Sequence, residues 1–110
     1  MGVGVPMASV TAIMATSGKR MKKLRRAAGF KNAYNFAKFI DVSAPRWSNV
    51  ENGYPISRDV ANKIKKKLPG VDLDYIYDGE KSGLSLLWLQ RLDEIPGDAE
   101  ASGLKGITLR

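Results

Sequence analysis

The chain has no cysteine and no histidine among its 110 residues. The missing cysteines exclude disulfides, thiol redox chemistry and thiolate nucleophiles, and the two absences together exclude Cys/His zinc sites. Without histidine, the commonest general base is gone. An enzyme would have to run on carboxylates, lysines or serines. No nucleophile–base pair or metal-ligand cluster appears in the sequence, so the chain reads as a non-enzyme with no metal and no cofactor. No apolar run reaches the roughly 18–20 residues that a membrane span requires, so no membrane association is expected. No segment alternates apolar and polar residues for long enough to predict a strand.

What remains is a chain long enough for one small domain with tails. Its net charge is +7, and the charge is unevenly placed. Residues 19–67 hold fourteen Lys and Arg against Asp41, Glu51 and Asp59, a net of +11, whereas residues 68–110 carry a net of −4. A basic block joined to an acidic one suits a polyanion binder whose second part does something else. A solvated lysine-rich surface kept for solubility would give the same totals.

The first stretch, Met1–Gly18, is uncharged and rich in Gly, Val, Ala and Met. It lacks a basic region ahead of its apolar part, so a secretory leader is not expected and the cytoplasm is the expected address. Residues 1–16 read as a disordered N-terminal arm. Residues 97–110, with Pro96-Gly97, Ser102-Gly103 and Gly106 among few large apolar groups, read as a flexible tail.

Between these ends the spacing predicts short helices. Met21, Leu24 and Ala28 recur at i, i+3 and i+7 ahead of a Gly29 stop. Asn32 can cap a second helix with Ala33, Phe36, Ala37 and Ile40 on one side. A turn of about three residues then leads to Ser43, which caps a very short helix. There Trp47 and Val50 point inward, Pro45 fits the first turn, and Asn52-Gly53 ends the helix. Ser57 caps a fourth helix with Val60, Ala61, Ile64 and Leu68 inside, and Pro69-Gly70 stops it. Asp72 caps a fifth that Gly79 closes, with Val71 and Ile76 as a hydrophobic staple. Helices this short need a shared core, and Phe30, Val42 and Leu73 complete the candidates.

Two helices, a three-residue turn and a second helix opening on Ser43 have helix-turn-helix spacing. The segments Leu24–Phe30, Phe36–Ser43, Trp47–Gly53 and Leu73–Gly79 together resemble the Cro/C1-type (XRE-like) helix-turn-helix DNA-binding family over roughly residues 17–79. The resemblance implies an all-α, five-helix, lambda-repressor-like domain whose third helix lies in the DNA major groove. It also implies a transcription regulator, commonly a repressor, that acts as a homodimer on double-stranded DNA. A structural ion pair between Arg25 and Glu51 is implied as well, with Arg25 also placed to reach phosphate.

On such a helix the outward residues are Ala44, Pro45, Arg46 and Asn49, the candidates for base contact. Arg46 could pair with guanine O6/N7, Asn49 with adenine N6/N7, and the Ala44 methyl with thymine. Lys31, Asn32, Tyr34, Ser43, Asn52, Tyr54 and Arg58 are candidates for phosphate contact, which positions a protein without reading sequence. Helix starts at Asn32 and Ser43 would add unpaired N–H groups and a positive dipole end. The run Lys65–Lys67 reads as a solvated face. Three departures from the family's pattern stand out. Ala33 takes the place of a DNA-contacting Gln, Asp41 stands where the turn usually has Gly, and Pro45 replaces a polar base reader.

Residues 80–96 read as a helical extension. Within Ser82–Ile95, Leu84, Trp88, Leu92 and Ile95 share one helical side while Leu86 and Leu89 fall off it. Such a segment either supports homodimerisation or packs back on its own domain. Three functions remain: a sequence-specific DNA-binding regulator, an antitoxin that binds its own operator and masks a toxin through residues 82–95, and an interaction module that no longer binds DNA. The +11 on residues 19–67 disfavours the last.

Overall fold

The computed structural model describes the backbone of residues 7–95 and the side chains of residues 16–95. The described residues form six helices and no strand: α1 (Met7–Ala27), α2 (Ala33–Ile40), α3 (Ala44–Glu51), α4 (Arg58–Lys67), α5 (Leu73–Asp78) and α6 (Leu86–Asp93). Five of the starts are capped by the side chain just ahead: Asn32, Ser43, Ser57, Asp72 and Ser85 each accept from backbone N–H groups of the first turn. No helix among the described residues is long and apolar enough to cross a membrane.

Three of the helix ends share one device. The N–H of Phe30 donates to the Arg25 carbonyl at 3.1 Å, that of Val42 to Ala37 at 2.9 Å, and that of Tyr54 to Asn49 at 3.0 Å. In each case the residue between helix and donor has positive φ: Gly29 at 97°, Asp41 at 66° and Gly53 at 97°. This closure satisfies carbonyls that would otherwise be orphaned, and it suits glycine. Asp41 is the one non-glycine of the described residues in that conformation. It sits in the turn between α2 and α3, where the sequence departs from the expected Gly.

One core serves all six helices. Met21, Leu24, Phe36, Ile40, Trp47, Val60, Ile64 and Ile76 lie at its centre, and Phe36 contacts both Phe30 and Trp47 ring to ring. Of the expected inward residues, Ala28, Phe30, Ala33 and Leu73 are only partly buried, whereas Ala27, Ile56 and Tyr75 join the core. The helix α3 packs between α1 and α2, α4 closes on α2, and α5 bridges α1 and α4. At the crossing of α1 and α3, Gly18 faces the end of α3. A Cβ there would fall on the Glu51 carbonyl and lie 3.0 Å from the Gly53 nitrogen. The two backbones meet this closely because nothing stands between them.

Two expectations at the ends need correction. The first helix starts at Met7 rather than near residue 17, so residues 7–16 are helical rather than a disordered arm. Met7, Ala8, Ala12, Met14 and Ala15 are strong helix formers. Weighing the lack of charge above this propensity misplaced the boundary. Residues 1–6 and the tail expected over 97–110 lie outside the described residues.

The extension is helical only from Leu86, with Ser85 as its cap, because Gly83 and the turn at Lys81–Leu84 precede it. It packs back on its own domain through Leu84, Trp88 and Leu92. The Trp88 indole donates to the Pro69 carbonyl at 2.8 Å, and Arg91 donates to the Ala27 carbonyl at 3.2 Å. Leu86 and Leu87 remain on the surface, 68% and 56% exposed.

Candidate nucleic-acid interface

Sidedness defines α3. Trp47 and Val50 are buried, and the Trp47 indole N–H donates to Glu51 Oε2 at 2.6 Å. The same carboxylate receives Arg25 Nε at 2.6 Å and Nη2 at 3.2 Å, a bidentate pair. The remaining Arg25 nitrogen donates to the carbonyls of Phe30, at 3.0 Å, and Lys31. Arg25 is 4% exposed, and each of its three side-chain nitrogens donates to a partner. It ties α1, α3 and the α1–α2 turn together as the expected ion pair. Burial and these partners turn it inward, away from the expected reach to phosphate.

On the other side, Pro45, Arg46, Ser48 and Asn49 are exposed and Ala44 is half-buried. The four expected base contacts are therefore all accessible, with Ala44 the most recessed. Arg46 does not extend freely into solvent. Its Nη1 donates to Asp59 Oδ2 at 3.3 Å and its Nη2 to Ser57 Oγ at 3.0 Å, both at the start of α4. A cavity of about 170 Å³ opens beside it, walled by Asn49, Val50, Tyr54, Pro55, Ser57 and Val60.

The charges continue beyond that pair. Lys63 lies 3.8 Å from Asp59 and 3.6 Å from Asp41, and it donates to the Asp41 carbonyl at 2.8 Å. Alternating charges thus run from the α2–α3 turn across α4 to the outer surface of α3. Exposed pairs of this kind contribute little to stability singly, but they restrict where each side chain points.

Of the expected phosphate contacts, Lys31, Asn32, Tyr34, Ser43, Asn52, Tyr54 and Arg58 are all exposed. Two of them also act as caps through their oxygens, which leaves the Asn32 amide N–H groups and the Ser43 hydroxyl hydrogen for a phosphate. Asn32 Oδ1 accepts from the N–H groups of Tyr34, at 2.7 Å, and Asn35, at 3.1 Å, and Ser43 Oγ accepts from Arg46 at 3.3 Å. Pro45 has no N–H. At the start of α3 the dipole end persists, but Ala44 is left as the amide best placed to meet an anion. The lysines at 65–67 are exposed as expected, with Lys67 over the Phe39 ring.

Sequence reasoning missed Asp59 and Lys63. Ser57 was legible as a cap, and Asp59 in the first turn suits the dipole of α4. Nothing in their spacing shows that the start of α4 comes to rest against α3. Arg20, expected with the other basic residues of α1 to face solvent or a partner, turns instead to the end of α5. Its Nη2 donates to the carbonyls of Ile76 and Tyr77 at 3.1 and 3.0 Å, closing the end of α5, and burial pushes its pKa below the usual arginine range.

Comparison with protein-family models, curated proteins and solved structures gave no match to this chain.

Proposed function

We propose that the protein is a sequence-specific double-stranded DNA-binding regulator, acting as a repressor, that reads the major groove with α3. The observation that carries this is the sidedness of α3. An eight-residue helix set behind a tight turn hides Trp47 and Val50 and presents Pro45, Arg46 and Asn49. Arg offers paired donors for the guanine edge, and Asn one donor and one acceptor for the adenine edge. Lys31 and Arg58, exposed, supply charge for the phosphate backbone. The helix-turn-helix role of α2 and α3 belongs to this proposal, as does the cytoplasm as the place where such a regulator works.

One α3 reaches only a few base pairs, and each good contact discriminates by about 1–3 kcal/mol. Two copies on related half-sites are therefore needed for a useful operator. Leu86 and Leu87, exposed on α6, are the surface proposed for self-association. Because Trp88 and Leu92 belong to the core, exchange of the two exposed leucines for serine tests this better than truncation. Sedimentation should show the pair dissociating. In the second reading, an antitoxin, the same two leucines cover a toxin and the DNA surface is unchanged. The variant would then leave the association state of the purified protein as it is.

Selection of bound sites from random duplex DNA tests the main proposal. A recurrent site with two spaced halves is expected, with affinity falling steeply as salt rises. Recovery of random sequences, or binding indifferent to salt, would overturn it.

A further inference from the structure

Arg46 is held in a way that neither the fold nor its solubility requires. The helix α3 is already anchored by Trp47, Val50 and the Glu51–Arg25 pair, and Ser57 already serves as the cap of α4, accepting from Val60 at 3.2 Å. The Arg46–Asp59 pair adds little to stability, since its side chains are 46% and 57% exposed. Its effect is on direction. Asp59 lies between Arg46 and Lys63, and Lys63 is itself tied to the Asp41 carbonyl. The carboxylate is thus confined from two sides and presents a fixed acceptor to the guanidinium.

A guanidinium carries five N–H donors in one plane. One hydrogen on each Nη is used by Asp59 and Ser57. The Nε–H and the other Nη hydrogens stay available in the same plane, enough for the two acceptors of a guanine edge. A long side chain that is already oriented loses less freedom on contact than one that must be found among many rotamers. A carboxylate near a polyanion also carries a cost, since it repels phosphate on every sequence alike.

We propose that Asp59, assisted by Ser57, is a positioning residue that aims Arg46 at a guanine and so determines specificity at one base pair without touching it. This rests on the DNA-reading role proposed above. Asp59 reduces affinity for all DNA and raises discrimination at one position.

The test compares the wild-type protein with Asp59→Asn, Arg46→Ala and the double variant. Each is titrated against the site selected by the wild type, against that site changed at every position in turn, and against random duplex. For Asp59→Asn, binding to random duplex should strengthen. The guanine preference at the base pair that Arg46→Ala relaxes should shrink on the order of tenfold. In the Arg46→Ala background, Asp59→Asn should change nothing at that position. Stronger binding to all sequences with the guanine preference intact would make Asp59 a mere competing charge and overturn the inference alone. A wild-type protein that shows no sequence preference would overturn the DNA-reading role and the inference with it. Thermal unfolding of each variant separates these outcomes from loss of fold.

Discussion

On the inner side of α3, Arg25 meets Glu51 at 2.6 Å among core side chains, 4% exposed, with the Trp47 indole on the same carboxylate. On the outer side, Arg46 meets Asp59 at 3.3 Å, nearly half exposed. The two pairs have the same chemistry and each has one member on the same short helix, yet burial gives them opposite uses. Inside, water cannot replace a lost partner, so the pair is structurally obligatory. Outside, water can replace either partner, so the pair costs the fold little to break, and the guanidinium keeps hydrogens for a further acceptor.

Breaking the inner pair should have the largest effect. Glu51→Ala strands the Arg25 guanidinium and frees the Trp47 indole. Stability in urea unfolding should fall by about 3–5 kcal/mol. A loss below about 1 kcal/mol would erase the contrast between the two sides. Next comes the outer pair read through DNA. Arg46→Ala should weaken binding to the selected site by about 1–3 kcal/mol and relax one base pair. A uniform loss on all sequences would instead mark a phosphate contact. The turn that joins the two helices should respond more modestly. Asp41→Gly should raise stability by up to about 1 kcal/mol, since glycine adopts positive φ without steric cost, and Asp41→Val should lower it. Thermal melts of the two variants should move in opposite directions. Smallest of all, Asp59→Asn should shift unfolding stability by no more than about 0.5 kcal/mol.

Most of the architecture was legible because it is written in local terms. Caps such as Asn32, Ser43, Ser57 and Asp72, stops such as Gly29, Gly53 and Gly79, and apolar spacing fixed where α2 to α5 begin and end. Trp47 and Val50 as inward residues followed from the same spacing. Boundaries set by propensity alone were harder. Residues 7–16 carry no charge pattern to mark a helix side, and their helicity rests on alanine and methionine preference. The candidate site was half legible. Which α3 residues face outward follows from helical geometry, and so Pro45, Arg46 and Asn49 could be named. What Arg46 touches could not, because Asp59 lies thirteen residues away and their meeting depends on how α4 packs. Arg25 shows the converse. A family resemblance supplied its partner Glu51, but only the structure showed how deeply the guanidinium is buried.

Gly18 gives the bottom of α3 a seat with no padding. The pitch at which that helix stands up from the molecule is set from behind, by backbone resting on backbone. One methyl group added there would act as a wedge, rocking the whole outward surface while leaving every exposed side chain chemically the same. Readout could be spoiled or retuned by a change that no ligand would ever meet, and a survey confined to surface variants would overlook it.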